Sequence, residues 1–337
     1  MSNLLVRRFV QLIPLVLGIC LLLYLGRLFG VQELLNALKS LRPRSLAAYA
    51  ALGGVVLLGY CGRWALVLRS VGAPAPLRRL VGIRLAGDAL GTLLPGGRIG
   101  GDPYRVGVLY ARGAPGVAAT AGVAADRMLE VVGNSVAALA YVAVYSATRT
   151  ADVSLAIVVI LVLLLVASLT AVAALWRRRR PFSPVLQTLQ PIVPQIQRVV
   201  ETTKHIEDEL ARFFGDHPAT FVVGLLGSLL IELTIVAEYH FLFSAFSLDL
   251  DLPTILMILL GGGVARAVPT PAGLGALEAS QVTVLALTAN RPDVGFVVGL
   301  VLRMHETLWL TLGLIAVSVY GLTPKQLRVR KLESATS

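Results

Sequence analysis

The 337-residue sequence predicts an all-α polytopic membrane protein, with about six full spans and two re-entrant helix pairs arranged as an inverted repeat. Three observations carry that reading. Only 15% of the residues are charged and 56% are hydrophobic, whereas soluble domains carry about 25% charged residues; the mean hydropathy is +0.78. Several apolar runs reach the roughly 20 residues a helix needs to cross a hydrocarbon core. Two further apolar regions are broken at their centres by Pro and Gly, and they match each other at a fixed spacing.

The full spans, in order, are Phe9–Gly30, Leu46–Leu68, Val117–Ala147, Val153–Trp176, Ala219–Phe246 and Val294–Gly321. Val153–Trp176 contains no charge at all. The first run has a basic flank and no small-residue cleavage site, so a retained helix is expected rather than a removed signal peptide. The broken regions are Leu80–Arg112 and Leu252–Asn290. Two segments with mixed charge and spaced apolar residues, Val31–Leu41 and Pro184–Phe214, suit helices lying at a membrane surface. Cys20 and Cys61 both fall in apolar spans, so neither a disulfide framework nor a thiolate metal site is implied.

Lys and Arg concentrate on cytoplasmic loops. Arg7 and Arg8, the stretch Arg69–Arg79, Arg177–Arg180 and the tail Lys325–Lys331 therefore read as cytoplasmic, with both termini inside a cell (inner) membrane. The acidic loop Ser247–Pro253 then lies outside. This closes only if Leu80–Arg112 dips in from the cytoplasm and Leu252–Asn290 from outside. Lys39, Arg42 and Arg44 dissent. The same loops account for the net charge of +11 without a nucleic-acid partner, and they suit anionic lipid headgroups.

An offset of 176 residues maps Gly87 onto Gly263, Pro95 onto Pro271, Gly97 onto Gly273 and Asp102 onto Glu278. It also maps Arg127, Met128 and Glu130 onto Arg303, Met304 and Glu306, with no gap. The chain thus reads as one membrane domain with a repeat A over 46–147, a repeat B over 219–321 and an interfacial segment over 177–215. Opposed broken helices at matching positions point to a transporter-like site near the midplane. Non-helical backbone at that depth survives only inside protein or beside a water-filled cavity.

Arg127 and Arg303 lie about ten residues into their spans, near mid-membrane at 1.5 Å per residue. A bare charge there costs at least about 2.5–3.5 kcal/mol, so Glu130 and Glu306, three residues on and on the same helix face, are their natural partners. Two readings fit: a pair that neutralises itself and braces the fold, or an Arg that binds an anionic headgroup while the Glu orients it. Asp102 before Pro103 reads as an N-cap, and Glu278 as a first-turn acid complementing the helix dipole. Arg98 and Arg105 flank the first of these helix starts, where they either reinforce a phosphate site or reach toward the cytoplasm. Pro95, Gly97, Pro271 and Gly273 shape the turns. Glu232 and Glu238, with His240 nearby, allow protonation in lipid or a pair with Arg303, and a proton relay is a weaker option. Arg63 and Arg69 read as snorkelling side chains. No catalytic signature, nucleotide loop, cofactor motif or metal-ligand spacing is present, and "GGGVAR" (Gly261–Arg266) reads as close helix packing.

At "LLPGGRIGGDPYRVGVL…DRMLE" and "PTPAGLGALEAS…RMHETLW" the chain resembles the transmembrane region of the lysylphosphatidylglycerol synthase/flippase family, nearly end to end. The "IGGDPYR" and "RMHETLW" versions look closest to the hopanoid-associated members. The sequence departs from the family in having Pro271-Ala272-Gly273 where Pro-Gly is common. The resemblance implies a non-enzymatic membrane protein that moves a phospholipid or other polar lipid between leaflets. Lysyl transfer is not expected, because no soluble transferase domain follows the last span. A membrane scaffold or accessory subunit of a lipid-modifying or glycosyltransferase system is the alternative from another class. A membrane-embedded enzyme is a third.

Overall fold

The structure is a computed structural model that describes residues 41–93, 100–149, 153–188, 197–267 and 275–320. Among them every regular element is a helix and there is no strand: α1 (Pro43–Ser70), α2 (Leu77–Leu93), α3 (Asp102–Ala111), α4 (Gly116–Thr148), α5 (Leu155–Trp176), α6 (Ser183–Thr188), α7 (Gln197–Asp216), α8 (Pro218–Ala245), α9 (Leu252–Ala267), α10 (Ala276–Ala289) and α11 (Pro292–Tyr320). Five helices are long and apolar enough to cross a membrane: α1, α4, α5, α8 and the Val294–Val319 part of α11. They match five of the six expected spans. The sixth, Phe9–Gly30, lies outside the described residues, as do most of Val31–Leu41, the tail Lys325–Lys331 and the turn residues Pro95, Gly97, Pro271 and Gly273.

Local chemistry sets several helix bounds. Pro occupies the first turn of α1, α3 and α8, where its missing N–H costs nothing. Asn290 ends α10 in the left-handed conformation, which Asn tolerates better than most residues. The segment Pro184–Phe214, expected as one surface helix, is instead divided between α6 and α7. The amphipathic face of α7 is closed against protein: Phe213 and Phe214 are 1% exposed and stack edge-on, with Phe214 also against Phe221 of α8. Glu207 of α7 accepts the Ser183 N–H at 3.2 Å, tying α6 to it.

Packing places α8 along α1, running antiparallel. Arg42 N–H donates to the Ala245 carbonyl at 2.9 Å at one end, and Ser70 meets Thr220 at 3.3 Å at the other. These two helices correspond under the 176-residue offset. α11 lies along α2, and α10 along α11. The pair α2–α3 begins and ends at the α7 end of the bundle, where Ser70–Gly72 and Pro115–Ala118 line one cleft with α7. The pair α9–α10 begins at the other end, where Asp251 meets Arg149. From there α11 runs past Tyr49 at His305 and reaches Leu85 at Gly313. Arg42, dissenting by charge, pairs at that end with Asp249 at 3.0 Å.

The two halves have separate apolar cores. One gathers Trp64, Leu68, Ile83, Val108, Leu129 and Phe213; the other gathers Phe243, Ile258, Leu277, Val298 and Leu302. By contrast, only 6% of the most apolar stretch of α5 is buried, and Leu155, Ile160 and Leu163 point outward. A helix apolar on all sides and uncovered by protein is one whose solvent is lipid. α2 and the start of α3 cross very closely: a Cβ at Gly101 would lie 1.8 Å from the Gly87 carbonyl oxygen. Only a residue without a side chain permits that approach.

Candidate functional site

Guanidinium groups inside an apolar bundle are tolerated only when their donors meet acceptors. In repeat A four arginines and four carboxylates meet most of this demand, leaving Arg84 Nε and Arg105 Nε without a hydrogen-bond partner among the described residues. Arg127 of α4 forms the outer part. Its Nε and Nη2 donate to Asp102 of α3 at 3.1 and 2.8 Å, and its Nη1 to Glu130 at 3.0 Å. Arg105 Nη1 reaches the same Asp102 at 3.2 Å. The inner part centres on Asp126, which is completely buried. It accepts from Arg63 Nε at 2.9 Å, Arg84 Nη1 at 3.1 Å and Arg105 Nη2 at 2.9 Å. Arg84 Nη2 and Arg63 Nη2 also reach Glu130, at 3.0 and 3.3 Å. Asp88 sits 3.4 Å from Arg84. Ser228 of α8 accepts from Arg63 at 2.9 Å, which links the cluster to the antiparallel partner of α1. The guanidiniums of Arg84 and Arg105 lie over Tyr60 and Trp64, at 4.2 and 4.0 Å from the ring centroids, where the ring faces attract cations.

Repeat B reproduces the outer part only. Arg303 Nε and Nη2 donate to Glu278 of α10 at 3.0 and 2.8 Å, and Nη1 donates to Glu306 at 2.9 Å. Acid, arginine and glutamate therefore form the same triad twice, at positions 102, 127 and 130 and again at 278, 303 and 306. Glu278 also accepts the Gly275 N–H at 3.0 Å, so it caps α10 while holding Arg303.

The site residues expected from sequence are thus divided. The structure brings Arg127, Glu130, Asp102 and Arg105 together in one cluster, and Arg303, Glu306 and Glu278 in another. Arg98 lies outside the described residues. Three expectations need correction. Asp102 is not an N-cap: α3 is preceded by Gly101 with no side-chain cap, and the Asp102 carboxylate is taken by Arg127 and Arg105. Arg105 does not reach toward the surface; it is wholly buried. Nor does Arg63 snorkel. It is 4% exposed and turned inward by Asp126, while Arg69 is exposed. Asp126, Arg84 and Asp88 were missed, although "ADRMLE" (Ala125–Glu130) places three charges within one turn and a half of an apolar span. An uneven number of acids and bases at membrane depth signals further partners on other helices.

A separate junction of α1, α8 and α11 contains Glu238, 3% exposed, whose Oε1 meets no donor among the described residues. The Tyr49 hydroxyl and His305 Nδ1 share a hydrogen bond of 2.9 Å, and His305 stacks near Tyr239 and Trp309. Glu232 accepts from the Tyr141 hydroxyl at 3.1 Å, and His240 is exposed. Among the described residues no three His, Cys, Asp or Glu side chains gather as a metal ion would need.

Helices of spanning length around inward-facing arginine–carboxylate clusters define a polytopic membrane protein whose polar groups are enclosed by its own helices. The chain belongs to the family described as Lysylphosphatidylglycerol synthase TM region, which it matches over residues 11–314. It is also similar to the UPF0104 membrane protein of Methanothermobacter thermautotrophicus, at 24% identity over 334 residues covering 95% of this chain and 98% of that one. No solved structure matches the chain.

Proposed function

We propose that this protein is a lipid flippase or lipid transporter. It moves a polar or anionic-headgroup lipid between leaflets while the acyl chains stay in the bilayer. The observation that carries this reading is the duplicated triad, Asp102–Arg127–Glu130 and Glu278–Arg303–Glu306, beside the second arm of each broken helix pair. The antiparallel run of α1 and α8 supports treating the two halves as inverted repeats, and in such proteins the substrate site lies between the repeats near the midplane. Family membership supports a lipid-related role.

In this conformation the carboxylates occupy the arginine donors. The transport reading treats them as placeholders that an anionic headgroup displaces, since Arg forks suit phosphate and carboxylate alike. No covalent step is invoked. The side bearing Arg69–Arg79 and Arg177–Arg180 is taken as cytoplasmic, in a cell (inner) membrane. Both stretches lie at one end of the bundle, where Ser70 meets Thr220 of α8 at 3.3 Å and Arg178 meets Asp216 of α7 at 2.8 Å, and their shared end agrees with the positive-inside rule.

One observation favours the scaffold alternative: repeat A balances the charge of four guanidiniums with four carboxylates of its own. The test is translocation of a headgroup-labelled phospholipid by the purified full chain in liposomes. The expected result is faster loss of inner-leaflet protection from an external reductant than in protein-free vesicles, reduced at least about tenfold by Arg303→Gln. Folded protein that moves no labelled lipid would favour the scaffold.

A further inference from the structure

The inward-facing carboxylates of the bundle are engaged almost everywhere: Asp126 and Glu130 by arginines, Glu278 and Glu306 by Arg303, and Glu232 by the Tyr141 hydroxyl. Glu238 of α8 differs. It is 3% exposed, its Oε1 meets no donor, and no guanidinium or ammonium pairs with it among the described residues. It lies seven residues, about 10 Å, inside the Ala245 end of α8. The carboxyl fits there because Gly53 of α1 has no side chain: a Cβ at Gly53 would lie 3.0 Å from Glu238 Oε1 and 3.0 Å from Trp309 Cζ2 of α11. An ionised carboxylate with no partner is costly in an apolar interior, whereas the neutral acid is tolerated.

Titratable groups gather around it. They are Tyr49 of α1, His305 of α11, which shares the 2.9 Å hydrogen bond with the Tyr49 hydroxyl, and Tyr239 beside it on α8. Beyond Tyr239 stand Arg266 of α9 and Glu306 of α11, 3.6 Å apart. From α4 comes Tyr141, bonded to Glu232, and α7 meets α8 at Phe221, toward the opposite end. The assembly occurs once. Under the 176-residue offset Glu238, Tyr49, His305 and Trp309 correspond to Gly62, Leu225, Leu129 and Gly133, none of which titrates. It also joins the two halves, since α1 belongs to one repeat and α8 and α11 to the other. α11 carries Arg303 and Glu306 on either side of His305.

We propose that Glu238 is a proton-binding site and that its proton is the coupling ion of transport. The inference rests on the lipid-transport reading. Loading adds one proton from external water to the carboxylate and gives the neutral acid; release returns that proton to water on the cytoplasmic side, and no other bond is made or broken. The closed α1–α8–α11 junction holds the neutral acid. Ionisation requires water or a cation at the carboxylate, so proton loss is tied to opening of the junction between the repeats.

Two measurements on the full chain test this. Infrared spectroscopy of protein in lipid at neutral pH is expected to show a protonated-carboxyl C=O band that disappears in Glu238→Gln, whose amide matches the neutral acid in shape. Gly53→Ala, which crowds Oε1, is expected to shift that band, and His240→Gln, exposed on the same helix, to leave it unchanged. In liposomes, an acid-outside gradient of about one pH unit is expected to bias headgroup-labelled phospholipid between leaflets by up to about tenfold, the proton ratio. A protonophore or Glu238→Gln should abolish the bias. A band that survives in folded Glu238→Gln overturns the proton site. A band lost there, with lipid movement by the parent that ignores the gradient, overturns the coupling and leaves transport standing. A band lost there, with no lipid movement by the parent at any pH, leaves the proton site standing and refutes transport.

Discussion

Asp126→Asn is the sharpest probe of the repeat A cluster. The side chain is completely buried and accepts from three guanidiniums, at 2.9, 3.1 and 2.9 Å. Asparagine keeps the shape, removes one negative charge and turns a donor toward groups that can only donate. Four arginines then face three carboxylates inside the bundle. Removing one partner of a buried ion pair costs about 3–5 kcal/mol, because the remaining charge is uncompensated. Summing three charge-assisted bonds at about 1.5–3 kcal/mol each gives more; the smaller range applies because the amide oxygen still accepts one of them. The control is Asp249→Asn in the exposed pair with Arg42, side chains 73% and 48% exposed, where such pairs contribute about 0–1 kcal/mol. Equilibrium unfolding of the detergent-solubilised full chain measures both. Adding Arg105→Gln to Asp126→Asn restores charge balance and is expected to recover about half the loss, since neighbours in one network couple strongly. If Asp126→Asn unfolds within about 0.5 kcal/mol of the parent, the cluster does not hold the fold and the charge argument fails.

Other perturbations have distinct outcomes. Gly101→Ala drives a Cβ to 1.8 Å from the Gly87 carbonyl oxygen and forces α2 and α3 apart, at about 3 kcal/mol or more. Gly54→Ala, with nothing within 4 Å, is expected to be neutral or mildly stabilising in the same thermal assay. Leu163→Arg on the uncovered face of α5 should cut membrane insertion by about 2.5–3.5 kcal/mol, whereas Leu163→Ala should leave the thermal midpoint nearly unchanged, because no protein packs on it. In the loop before α9, burial alone would raise the Asp251 carboxyl, but hydrogen bonds from Thr254 and the Arg149 guanidinium hold it below the usual range. A depressed carboxyl contributes stability above its unfolded value of about 3.9 and loses it as pH falls through the lower folded value. The stability advantage of the parent over Asp251→Asn should therefore be present at neutral pH and disappear only in acid.

Much of this was legible in the sequence because it depends on local chemistry. The span expected at Leu46–Leu68 is α1 at Pro43–Ser70, and Val153–Trp176 is α5 at Leu155–Trp176, since length and hydropathy suffice to specify each helix. The Arg127–Glu130 and Arg303–Glu306 pairs were readable because three residues along a helix bring side chains to one face. The partners at Asp102 and Glu278, 25 residues away, were assigned to helix capping instead. That capping fails for Asp102 because the nearby guanidiniums are stronger donors than the backbone N–H groups of α3.

The sequence by itself determined where five of the spanning helices lie and that a motif recurs after 176 residues. Only the tertiary structure decided which charges meet. Along helices that are apolar on nearly every side, periodicity does not say which face turns inward. The antiparallel packing of α1 and α8 and the glycine crossing of α2 and α3 make that choice. They turn Arg63, Arg84 and Arg105 onto a single aspartate. At the equivalent positions repeat B has tyrosine, leucine and glutamine, so one half is locked by an inner charge cluster that the other lacks.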